Sequence, residues 1–163
     1  MVDKLKEKDL ELLDRFHKEA DEEVIEHNKK LIERYPFLAP RNVWTGLMVS
    51  DYDFSFTELD CMPSGWRKKF GIELCEELRN ELIKHDFLDS YQITQIKEKY
   101  GTLRWYDAGN TEEGHKIIRK YEDLSWDICI DCGEPATKET IGWIMPVCDK
   151  CAHERFNDEV IDK

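Results

Sequence analysis

Cys129-Ile-Asp-Cys132-Gly-Glu-Pro-Ala-Thr-Lys-Glu-Thr-Ile-Gly-Trp-Ile-Met-Pro-Val-Cys148-Asp-Lys-Cys151 carries two C-x-x-C pairs with 15 residues between them. Two residues between cysteines let both sulfurs of a pair turn toward one point. The intervening stretch is long enough to form a hairpin and bring the second pair back. Four thiolates then close a tetrahedral shell with no open position, the pattern of a structural Zn2+ site. Gly133 follows the first pair, where a tight knuckle favours a residue tolerant of positive φ. Residues 136–139 and 143–147 are the expected strands, with Gly142 in the turn. The run 149–160 reads as a helix carrying the second pair. Knuckle, hairpin and helix in that order resemble a treble-clef zinc finger. An iron–sulfur cluster also accepts four thiolates. A redox C-x-x-C needs neither the second pair nor this setting, which lacks a βαβ pattern. His153 is a substitute ligand, a group supporting the shell, or a plain surface histidine on the last helix.

Composition bounds the rest. A chain of 163 residues with 40% hydrophobic residues, five Trp, six Tyr and seven Phe has enough apolar surface for a core and is not disordered. The expected fold class is α+β: a long N-terminal helix (1–35), an α+β body with helices packed on a β-hairpin or small antiparallel sheet (36–128) and a zinc finger with its C-terminal helix (129–163), expected to pack as one compact unit because almost no linker separates them. The 36 acids against 24 bases give a net charge of −12. That disfavours direct binding to a phosphate backbone and favours a partner with a basic surface. Residues 1–13 are charged and lack the apolar segment of a secretory signal. No run reaches transmembrane length. Cysteines at metal spacing, with Cys61 and Cys75 left over, point to a reducing, cytoplasmic setting.

Along the chain, residues 5–35 read as one amphipathic helix through Leu10, Leu13, Phe16, Ala20, Val24, Leu31 and Tyr35, with a lapse at His27 and Asn28. Pro36 stops it. Residues 36–62 form a long connection with a short strand expected within 49–58. That segment holds Asp51, Asp53, Glu58 and Asp60 against Arg41 alone. Ser64 is the expected N-cap of a helix over 65–85 with Trp66, Phe70, Leu74, Cys75, Leu78 and Leu82 as its apolar stripe. Gly71 interrupts it. Arg67, Lys68 and Lys69 stand unfavourably in its first turns and call for acids elsewhere. Residues 91–107 read as a hairpin turning at Gly101. Its Lys97, Lys99, Tyr100, Arg104 and Tyr106 mix bases with aromatics. Single-strand binders do this, and so does ordinary cross-strand packing with snorkelling bases. Asn110 or Thr111 caps a helix over 112–124 whose buried side is Ile117, Ile118, Tyr121 and Leu124.

No G-x-x-x-x-G-K-[ST], H-E-x-x-H or G-x-S-x-G motif occurs, and the five histidines are scattered. The expectation is a protein that binds and does not catalyse. Arg41-Asn-Val-Trp-Thr-Gly46, Gly65-Trp-Arg67, Ile96-Lys-Glu-Lys-Tyr-Gly-Thr-Leu-Arg-Trp-Tyr106 and the cysteine stretch resemble a group of small phage and prophage proteins. Within that setting the chain is similar to the type II anti-CRISPR proteins, inhibitors of the Cas9 nuclease. The resemblance covers roughly residues 35–152. It implies stoichiometric binding to a host defence protein, Cas9 with its guide RNA, whose basic channel holds nucleic acid. The candidate partner-facing acids are Asp51, Asp53, Glu58 and Asp60 in the loop and Glu154, Asp158 and Glu159 in the tail. The alternative is a nucleic-acid-binding zinc finger of phage regulation.

Overall fold

The computed structural model describes residues 21–42, 44–156 and 159–163. Residues 5–20 of the expected first helix lie outside the described residues. Helix α1 spans 21–34. Its lapse in apolar periodicity is explained by Asn28, which is buried and donates from Nδ2 to the Phe54 carbonyl at 2.8 Å. A satisfied amide there substitutes for an apolar contact. Val24, by contrast, is exposed, and the buried residues at the end of the helix are Ile32 and Tyr35. Pro36–Leu38 form a 3-10 turn that buries Phe37 and Leu38.

Helix α2 is built from Ser64–Trp66, a π turn at Arg67–Gly71 and Ile72–Lys84. All six residues of its expected stripe are buried. Ser64 is not its N-cap. Pro63 occupies that position, and the Ser64 hydroxyl donates to the Asp131 carbonyl at 3.1 Å. Arg67 finds its acid in Asp60. Arg34 and Tyr35 tie α1 to α2 by donating to Glu76 at 2.5 and 2.9 Å.

Strands β1 (Gln92–Lys99) and β2 (Thr102–Ala108) form an antiparallel hairpin. Tyr100 and Gly101 turn it with φ of 52° and 78°. Two positive φ values are what a type I′ turn requires, and its twist matches that of the strands. Ile93, Ile96, Leu103 and Trp105 point into the core. Helix α3 (Glu112–Ser125) is capped by Thr111, whose hydroxyl accepts from Gly114 N–H at 2.8 Å. Ile118 and Tyr121 are buried as expected. Leu124 is exposed, and Ser125 takes the inward position, where its Oγ accepts from Leu103 N–H at 2.8 Å. Lys120 and the Tyr121 hydroxyl both reach Glu77, joining α3 to α2.

The C-terminal part holds β3 (Lys138–Thr140), β4 (Pro146–Val147), helix α4 (Asp149–Phe156) and β5 (Val160–Asp162), with the sheet order β4-β3-β5. Two further expectations fail. The helix ends at Phe156, well short of 160, because 160–162 pair with the free edge of β3. No strand forms within 49–58: Asp51 and Phe54 take φ of 62° and 64°, which breaks extended geometry. Pairing in that region is a single bridge, Arg41 to Met48.

Candidate metal centre

Backbone bonds shape the first cysteine pair. Cys129 N–H donates to the Glu134 carbonyl at 2.7 Å, and Gly133 N–H returns to the Cys129 carbonyl at 3.1 Å. Gly133 sits at φ 84°, as the knuckle requires. Strand β4 delivers Cys148 to the start of α4, and Cys151 follows one turn later. The four sulfurs lie within 4.8 Å of one another. Cys132 and Cys148 Sγ are 3.6 Å apart. A tetrahedral shell with metal–sulfur bonds of about 2.3 Å has sulfur–sulfur edges of about 3.8 Å, whereas a disulfide needs about 2.05 Å. All four cysteines are free thiols, and the spacing fits a metal ion.

Electrostatics agree with that fit. Burial and the neighbouring sulfurs push the Cys151 thiol far up, and burial raises Cys132. At Cys129 burial acts in the same direction but is outweighed by backbone N–H donors, so its thiol is lowered. Four packed thiols do not ionise together unaided. A bound cation supplies the charge that lets them do so. Among the described residues this is the sole convergence of three or more ligating side chains, and His153 stands outside it.

The knuckle is seated on α2. Gly65 N–H donates to the Ile130 carbonyl and Trp66 Nε1 to the Ile128 carbonyl, both at 2.9 Å. A Cβ at Gly65 would lie 2.2 Å from the Cys129 carbonyl oxygen, and one at Gly133 would lie 2.8 Å from the Gly65 oxygen. Two glycines thus let two backbones meet. Sequence reading placed Gly65 in a motif but gave it no structural role, because a lone glycine near a helix start carries no periodic signal.

The seven candidate acids fall into two groups. Asp51 is exposed. Asp53 accepts from Ser55 N–H at 2.9 Å. Asp60 accepts from Thr57 N–H at 2.7 Å besides pairing with Arg67. Glu58 is half-buried, and burial raises its carboxyl. Burial, then the charges of Asp53, Asp60 and Glu58, push the Tyr52 phenol up to about 12. Burial and then Glu58 and Asp60 also raise the Cys61 thiol, which keeps it protonated and a poor nucleophile. In the second group, Glu154 lies 3.9 Å from Lys150 on α4, and Glu159 is exposed at the exit toward β5. Asp158 lies outside the described residues. The acids of the loop therefore serve local turns as well as presenting charge.

Compared with known proteins, the chain matches no family model, no curated protein and no solved structure. Fold and site define an α+β protein with a four-cysteine centre suited to a metal ion. Among the described residues no helix is long and apolar enough to cross a membrane.

Proposed function

We propose that this chain is a zinc-stabilised inhibitor that works by binding. Zn2+ held by Cys129, Cys132, Cys148 and Cys151 fixes the fold, and acidic surface elements engage a basic nucleic-acid-binding surface on a host protein. The net charge of −12 carries this reading. Such a field steers association with a basic partner. The four-sulfur shell supports it too: a shell closed by four protein ligands leaves no position for substrate, so the metal serves folding and the work falls to the surface. The resemblance in sequence makes Cas9 with its guide RNA the partner of choice. There the acidic elements occupy part of the DNA channel and block target loading by mass action.

The test is titration of the zinc-loaded protein into a Cas9–guide cleavage reaction, with order of addition varied. Inhibition is expected to saturate near equimolar protein and to be strongest before target DNA is added. Absence of inhibition would remove the Cas9 assignment. Metal analysis is expected to return one zinc per chain, and a folded chain without metal would overturn the structural role of the centre.

A further inference from the structure

Among the described residues, the outer strand positions of the β1–β2 hairpin bear cations and no carboxylate. On the outer side of the β1–β2 hairpin, Lys97 stands opposite Arg104, Lys99 opposite Thr102 and Gln95 opposite Tyr106. Arg34, Arg67, Lys120, Lys138 and Arg155 each pair with an acid. Lys97, Lys99 and Arg104 have no such partner among the described residues. Lys97 donates to Gln95 Oε1, and Arg104 to Thr102 Oγ1 and the Leu103 carbonyl. Like charges set directly opposite each other in a hairpin are destabilising. A chain with 36 acids that leaves this pair unneutralised keeps it available to an outside anion.

The same face carries aromatic rings. Lys97 Nζ lies 5.2 Å from the Tyr106 ring centroid, and Lys99 Nζ lies 5.5 Å from that of Tyr100. Tyr100 at the tip is 73% exposed, and Tyr106 on the face itself is exposed as well. On the opposite face of the hairpin Trp143 Nε1 donates to Glu98 Oε2 at 3.0 Å. Glu98, which alternates with Lys97 and Lys99 along β1, is thus occupied by Trp143 and by Gly101 N–H.

We propose that the outer face of this hairpin, with Tyr106 on it and Tyr100 at its tip, binds single-stranded nucleic acid. Cations spaced about 7 Å along a strand can follow one phosphate backbone. Exposed rings offer stacking that an unpaired base can use and a duplex cannot. An acidic peptide would use the cations and leave the rings idle. The overall negative charge weakens long-range attraction, but at physiological salt it is screened beyond about 8 Å, so contact is decided locally. The site does not depend on which protein the acidic elements bind, and it suits a nucleoprotein partner in which strand and protein lie side by side.

Fluorescence anisotropy on the zinc-loaded full chain tests this, with labelled oligouridine, oligothymidine, a mixed-sequence duplex and oligoglutamate as probes. Both single strands are expected to bind, with a log K against log salt slope of about −2 for three phosphates neutralised. The RNA and DNA arms show which source is preferred. Duplex and oligoglutamate are expected to bind about ten-fold more weakly or less. Tyr100→Ala should weaken single-strand binding about five-fold or more. The triple variant K97Q/K99Q/R104Q should abolish it with zinc content and circular dichroism unchanged. Should that variant misfold, the exposed Lys99→Gln alone is expected to flatten the salt slope by about 0.7. No single-strand binding up to about 100 µM protein at about 50 mM salt, binding untouched by these substitutions, or equal affinity for oligoglutamate or duplex would each overturn the proposal.

Discussion

A methyl group at Gly65 has no space. Its carbon would fall 2.2 Å from one backbone oxygen and 2.7 Å from the next residue's carbonyl, and backbone cannot swing aside as a side chain can. Gly65→Ala is expected to cost about 3 kcal/mol or more in denaturant titration and to speed metal loss to a chelator. Gly142→Ala, whose Cβ meets nothing within 4 Å but whose φ is 88°, should cost only about 1 kcal/mol of backbone strain. Glu77 offers a pH test. Donation from Lys120 holds its carboxyl below the ordinary value of 4.5, opposed by burial and helped by the Tyr121 hydroxyl. A carboxyl depressed in the folded state stabilises fully above its unfolded value, and the benefit is lost as pH falls through the folded value. Stability measured by thermal melting is therefore expected to fall below about pH 5. Glu77→Gln should be less stable at neutral pH, and the gap to the parent should close on acidification. Because the comparison is between two chains with the same cysteines, acid release of the metal affects both alike.

At the scale of elements, Thr111 is the clearest lever. Its Oγ1 accepts from Gly114 N–H at the start of α3, and Thr111→Ala should lower stability by about 1 kcal/mol, read as a shift in melting midpoint. The sequence narrowed this cap to Asn110 or Thr111, because capping is local, and the fold selects Thr111. The α2 stripe and the hairpin turn at Gly101 were legible too. Other elements depended on partners far along the chain. Residues 149–160 contain no Gly or Pro to mark a break, and the pairing of 160–162 with the free edge of β3 is set by the folded chain. Ser64 has the chemistry of a cap, yet its hydroxyl is drawn to Asp131, 67 residues away. Asn28 looked like a gap in α1 because its partner is the Phe54 carbonyl in a loop that periodicity cannot place. The four cysteines were legible for the opposite reason: ligand spacing is itself local, and only the seat on α2 required the folded chain.

For the molecule as a whole, that seat couples metal to core. The Ser64–Trp66 end of α2 is held by carbonyls of Ile130 and Ile128, which flank Cys129. Removing the metal is expected to do more than open the finger. Hydrogen exchange should speed up at residues 64–66 as well as at 129–151, while the Ile72–Lys84 part of α2 stays protected. Uniform protection at 64–66 after chelation would show that the seat is independent of the centre. The π turn at Arg67–Gly71 lies between these two parts. A π turn accommodates one residue more than the α-helix around it. Each residue in an α-helix turns the chain by about 100°. Deleting one residue within 67–71 would restore a regular helix and rotate Gly65 and Trp66 away from the knuckle carbonyls. The helix thus carries a phase shift: one amino acid more or fewer in this turn sets whether the core and the metal site face each other at all.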